Sequence, residues 1–266
     1  MADGNRHKCR GLLTSIAAAS VLPAGVSAVS GRTPEEEEVR RLFDESREIL
    51  HRTNSHATAQ EFLQNNGFNI ASHMAEIEVE PSTRVGTNSG YQPRDDLNLG
   101  IDLNYYPDTG QYFATASWMW DYATLHPADV VALTYKQNSW SVPPNGYQSS
   151  SFVELDSEAP WSNGYAWKYH DHNHTIDNGG DGEWQSASLE LEPYSDTIDP
   201  EQRYIWMAYT QNSGTYGGHI NGIALGYGVL SVDTSGIDMT QDTWKRDSDG
   251  NDLKLSQADA DTVGCC

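Results

Sequence analysis

Between Lys168 and Trp184 the chain reads KYHDHNHTIDNGGDGEW, which sets His170, His172 and His174 on alternate positions. In an extended strand, side chains two apart share a face, so the three imidazoles line up while Asp171 and Asn173 face away. Three histidines on one face make a zinc-ligand set. An open fourth position would hold an activated water, the chemistry of a hydrolase or lyase. Asp177, Asp181 or Glu183, in the glycine-rich stretch that follows, would then serve as a further ligand or as general base. Same-face neighbours on a strand stand about 7 Å apart, so all three converge on one ion only with distortion. Two of them joined by the distant His219 make an easier set. The competing reading is a solvent-facing strand end that runs into a polar loop.

Two other patterns bear on chemistry. The stretch DSDGND (247–252) has calcium-loop composition. Its glycine, however, is fourth from Asp247 where an EF-hand needs the sixth, and the twelfth residue is Ala258 rather than glutamate. The expectation is therefore no cofactor, with zinc or calcium as the alternatives. Of the eight tryptophans, Trp118 and Trp120 share one strand face and Trp206 lies on another strand. Exposed together they would form a platform for sugar rings; turned inward they are simply core, the commoner fate of tryptophan. The chain has no nucleophile elbow, HExxH, phosphate loop or dinucleotide fingerprint, which favours a non-enzymatic protein.

Composition narrows the partners. The 266 residues carry a net charge of −22, from 38 acidic against 16 basic residues, and arginine outnumbers lysine among the latter. Nucleic acid and anionic membrane surfaces both draw on clustered lysine and arginine, so neither is an expected partner. Dense carboxylates with little lysine resemble the composition of proteins adapted to concentrated salt, where carboxylates keep the surface hydrated and ions screen their repulsion. The N-terminus reads as an export signal: RHKCR (6–10), then an apolar run interrupted by Pro23, then Val26-Ser27-Ala28 as a cleavage site. The run is too short and broken for a transmembrane span. Cys9 leaves with that signal, and Cys265 and Cys266 remain, with an intermolecular disulfide-linked dimer among their uses.

The remaining pattern supplies elements to hold these residues. Thr33-Pro34 followed by four glutamates is a capped helix start. Val39, Leu42, Phe43, Ile49 and Leu50 then recur at helical spacing. Ser55 caps a second helix carrying Ala59, Phe62 and Leu63, which Asn65-Asn66-Gly67 stops. From Leu97 the period becomes two: Leu97, Leu99, Ile101, Leu103 and Tyr105, a PDTG turn, then Tyr112, Ala114, Ala116, Trp118 and Trp120. That is a hairpin pattern. Further strands are predicted over 130–142, 164–170, 183–192, 203–211 and 219–232. The fold class expected is mainly β: an antiparallel β-sandwich or jelly-roll-like domain preceded by a short helical hairpin. The expected organisation is a signal peptide (1–28), a helical N-terminal segment (29–80), a linker (81–95), the β-sandwich (96–245) and an acidic disordered tail (246–266).

The order of parts is export signal, EVRRLFDESREILHRTNSHATAQEFLQNNGF, linker, then DLNLGIDLNYYPDTGQYFATASWMWDY opening a Tyr/Trp-rich β-domain. In that order the chain resembles a group of secreted haloarchaeal proteins. Some of those are similar to the N-terminal, immunity-type part of halocin precursors, in which a Cys-rich peptide toxin follows. This sequence stops at Cys265-Cys266, where such a peptide would begin. The resemblance implies a secreted or cell-surface protein that binds a protein, peptide or glycan partner, with immunity to a halocin-like peptide as a special case.

Overall fold

The computed structural model describes residues 32–77, 97–120, 128–156, 163–170, 182–213, 219–226, 228–235, 240–246 and 249–263. The signal peptide, the linker and Cys265-Cys266 lie outside them. The mainly β, antiparallel expectation holds.

Helix α1 (Pro34–Thr53) starts where the sequence says it must. Thr33 Oγ1 accepts the Glu36 N–H while the Glu36 carboxylate accepts the Thr33 N–H, a reciprocal capping box. It stops at Asn54, which takes the left-handed conformation. Helix α2 (His56–Asn65) is capped by Ser55. Together they lay Val39, Phe43 and Leu63 against Phe68, Ile70 and Phe113.

Residues 69–77 correct the purely helical reading of the N-terminal segment. They form β1 (Asn69–Ile77), which pairs along its whole length with β2 (Leu97–Tyr106). Its apolar residues do not alternate cleanly because Ile70 faces the helices while Ala71, Ala75 and Ile77 face the main core. The predicted hairpin is present: β2 returns through residues 107–110 into β3 (Gln111–Trp120), with Leu97 opposite Trp120. Strand β9 (Gln185–Pro193) pairs with β3 and completes the first sheet with β5 (Trp140–Ser141) and β6 (Tyr147–Ser149).

The second sheet runs β13 (Thr240–Trp244), β10 (Tyr204–Ser213), β4 (Asp129–Tyr135), β8 (Gly164–Tyr169), β7 (Val153–Leu155). Between the sheets lies the core: Leu99, Ile101, Leu103, Ala114, Trp118 and Leu189 from the first meet Val131, Leu133, Trp167, Ile205, Met207 and Tyr209 from the second. The second sheet is covered on its outer side too. There β11 (His219–Gly226) and β12 (Val229–Ser235) form a hairpin whose Ile223, Leu230 and Val232 pack on Val130, Ala132, Ala166 and Ala208. Burial on both faces explains why β4 reads as a continuous apolar run instead of alternating. It also splits the single strand predicted over 219–232 into two.

The C-terminal segment corrects a second expectation. Far from a disordered tail, β14 (Lys254–Ser256) pairs with the edge of β10, and helix α3 (Gln257–Thr262) follows. Leu253 and Ala260 are fully buried in the core, and Asp261 accepts a hydrogen bond from the Tyr112 hydroxyl at 2.6 Å. Net acidity hid this segment, because three apolar residues suffice when a ready-made strand edge supplies the hydrogen bonds. Ser256 caps α3 through a capping box, so Ser256→Ala is expected to lower unfolding free energy by about 1 kcal/mol. An unchanged denaturation midpoint would return this segment to the acidic-tail reading.

One glycine is held by the fold. Gly164 opens β8 at φ +147°, and a Cβ there would stand 2.3 Å from the Leu133 carbonyl oxygen. Gly164→Ala is expected to cost about 2–3 kcal/mol through backbone strain and overpacking. Equilibrium urea unfolding reads this directly, and no loss would mean that β8 slides on β4 without penalty.

Candidate functional site

The outer face of the first sheet should be apolar if the helices merely packed on it. It is not. Asp102 and Asn104 from β2, Thr115 and Ser117 from β3, and Ser186, Ser188 and Glu190 from β9 are all buried. Buried polar groups need partners, and for Asp102, Ser186 and Glu190 these come from α1, α2 and Arg32 just before α1. His56 Nε2 lies 2.7 Å from Asp102 Oδ2, and the Gln60 amide donates to Asp102 Oδ1 at 2.9 Å. Arg32 donates to Glu190 at 2.6 Å, with Arg40 3.5 Å away. The His51 ring sits 3.4 Å from the Ser186 hydroxyl. The seam is a polar mortar that fixes the helices in one register.

At one end the seam opens. The C-terminal half of α1, residues 148–152 and the start of β9 enclose a cleft of about 870 Å³. Its helical wall is Asp44, Arg47, Glu48, His51 and Arg52; Gln148, the Ser149–Ser150–Ser151 run, Phe152, Glu183 and Gln185 form the rest. Residues 148–152 are held in place by their own hydroxyls. Ser149 donates to the Val153 carbonyl at 2.7 Å and Ser150 to Gln185 Oε1 at 2.8 Å.

Two side chains in the wall are under-satisfied. Arg47 donates from Nη1 to Gln148 Oε1, its one hydrogen bond among the described residues, where its buried Nε has no partner. Asp44 Oδ1, one turn earlier on the helix, is likewise buried with no partner among the described residues. Burial pulls the Arg47 guanidinium below the ordinary arginine pKa, with the Asp44 charge opposing. A guanidinium has five N–H donors and a carboxylate about four acceptor positions. Leaving the Arg47 Nε and Asp44 Oδ1 idle away from water is unfavourable. A ligand that supplies both a donor and an acceptor relieves it.

The structure scatters the residues singled out by sequence. Trp118 is completely buried between Tyr169 and Tyr209, with ring centroids at 5.5 and 6.0 Å. Trp120 points into the same interior and donates from Nε1 to the Tyr209 hydroxyl at 2.9 Å. Trp206 is 9% exposed and packs beside Tyr204 on the other side of the second sheet. The three are on two faces and form no platform, because alternation on β3 and β10 sends them to opposite sides of the sandwich. His170, just past the end of β8, is part-exposed with Nε2 3.5 Å from Glu154 Oε2. His172 and His174 lie outside the described residues. His219 begins β11 opposite Ser235, and its side chain is also outside the description. Among the described residues, no three His, Cys, Asp or Glu side chains are grouped to hold a metal ion. In the calcium-like stretch, Asp252 is engaged by Arg246 at 3.1 Å and Lys254 at 3.3 Å.

The cleft escaped the sequence reading because its walls come from three distant segments of ordinary polar residues. One signal was available. Arg40, Asp44, Arg47 and His51 fall on one helical stripe beside the apolar one, an odd concentration of cations in so acidic a chain. No helix among the described residues is long and apolar enough to cross a membrane.

No protein-family model matches the chain, and no curated protein is significantly similar to it. Among solved structures it is similar to a chain described as "pH-induced modulation of Streptococcus parasanguinis adhesion by Fap1 fimbriae". The alignment has 9% identity, covers 54% of this chain and 73% of that one, and has a TM-score of 0.30. A likeness at that score decides neither fold nor function.

Proposed function

We propose that the chain is a secreted, non-enzymatic binding protein suited to concentrated salt, and that it engages a cell-surface partner through the cleft between α1 and residues 148–152. The export-type N-terminus and the charge of −22 support the setting. The observation that carries the binding reading is the pair Asp44 and Arg47, each with a buried polar atom that no described residue satisfies. Unlike the unpartnered indole nitrogens of the core, these two side chains line the cleft, where a partner can meet their remaining polar atoms. The polar seam behind the cleft supports the same reading. By holding α1 rigidly on the sheet, it spares the partner the entropy of ordering the site.

The test is co-sedimentation of the mature protein with envelopes of the producing cells in concentrated potassium chloride. Arg47→Met, which keeps the side-chain bulk and removes the donors, is expected to weaken retention about tenfold, the worth of one charged hydrogen bond. Thermal unfolding of the variant controls for its fold. Equal retention of both proteins would remove the cleft from the function.

A further inference from the structure

Resting on that reading, we infer that the ligand of the cleft is an uncharged, hydroxyl-rich oligosaccharide presenting a vicinal diol to Asp44 and Arg47. The lining holds Arg47 and Arg52 against Asp44, Glu48 and Glu183, with His51 between them. A nearly balanced lining recruits neither a polyanion nor a polycation. In strong salt it could not do so at range in any case, since the screening length falls to about 3 Å at 1 M. Recognition there rests on short hydrogen bonds and on burial of apolar surface.

The chemistry of the lining points the same way. Besides their buried Oδ1 and Nε, Asp44 Oδ2 and Arg47 Nη2 have no protein partner among the described residues. A hydroxyl donates to a carboxylate and accepts from a guanidinium through the same oxygen, which no peptide amide atom does. Two adjacent hydroxyls therefore meet Asp44 Oδ2 and Arg47 Nη2 together. Gln148, already fixed by Arg47, and the exposed Ser151 extend the same kind of contact along the cleft. Phe152 is the one aromatic residue in the lining. That ring packs on the core between the sheets, so the described lining offers none of the apolar pockets at alternate side chains that an extended peptide asks for. The volume of about 870 Å³ lies within the range of small-molecule sites.

Periodate cleaves the carbon–carbon bond between vicinal hydroxyls, so envelopes oxidised with periodate and then reduced with borohydride are the discriminating probe. The expected result is a loss of retention of about tenfold, with glycans released from untreated envelopes competing for the protein. If oxidised envelopes retain the protein as well as untreated ones while Arg47→Met does not bind, the partner at the cleft is a protein and the oligosaccharide inference falls alone. If untreated envelopes retain neither protein, the binding reading falls with it. Asp44→Asn, which keeps the shape of the wall, repeats the test where Arg47→Met fails to fold.

Discussion

Trp118→Ala is expected to lower the unfolding free energy by about 3–5 kcal/mol, enough to leave a domain of ordinary stability largely unfolded. Trp118 is completely buried at the meeting of the two sheets, edge-on to Tyr169 and tilted against Tyr209. Truncation removes its transfer free energy and leaves a cavity that three rigid strands cannot close. Urea unfolding followed by circular dichroism measures the loss. Trp118→Phe, which keeps most of the volume and removes an indole N–H that has no partner among the described residues, is expected to recover more than half of it. A near-neutral Trp118→Ala would mean that this side chain does not sit between the sheets.

The second large effect concerns the seam beneath the cleft. Asp102→Ala is expected to cost about 3–5 kcal/mol, the range for breaking one side of a buried pair, because it strands His56 and leaves the Gln60 amide with Ser72 as its acceptor. His56 and Asp102 have side chains 11% and 8% exposed, so water does not replace the lost acceptor. The same pair gives a pH dependence. Burial by itself lowers the His56 pKa, but the charge and hydrogen bond of Asp102 outweigh it and raise it above 6.5. The protonated imidazole is thus bound more tightly in the folded state. Its contribution is complete below pH 6.5 and is lost as pH climbs through the raised folded-state value. Unfolding free energy of the native sequence is expected to fall with rising pH in that window, relative to His56→Gln, where this slope disappears. Parallel curves for the two proteins would show that His56 titrates alike folded and unfolded.

Loss of the seam should also be felt in binding. Asp44, Arg47 and His51 reach the cleft from α1, which Arg32 and Arg40 tie to Glu190 and which packs on α2, itself held to Asp102 by His56 and Gln60. Asp102→Ala is therefore expected to weaken envelope retention without touching the lining.

What was legible in the sequence was whatever a short window encodes. Thr33, Pro34 and Glu36 start α1 by contacts within one turn, and the PDTG turn with its flanking alternation sets the β2–β3 register. Strand β1 was harder to see, since its two faces meet different apolar layers and blur the period. Strand β14 was harder still, because it is a strand only by virtue of the β10 edge it pairs with. Trp118, Trp120 and Trp206 read correctly as aromatic β-strand residues. Whether each faced solvent depended on which side of which sheet its strand lay.

The sequence alone determined the capped helices, the antiparallel hairpin, the acidic charge balance and the mainly β class, all of which follow from neighbours or from composition. Tertiary structure alone decided the cleft. Its walls are brought together from residues 44–52, 148–152 and 183–185 by the pairing of β6 with β9 and by the polar seam that holds α1 across the sheet. The physical reason is that a hydrogen bond such as His56 to Asp102, spanning 46 residues, has no signature in either neighbourhood. It exists only once sheet and helix have met, and with it the place where Asp44 and Arg47 are buried short of partners.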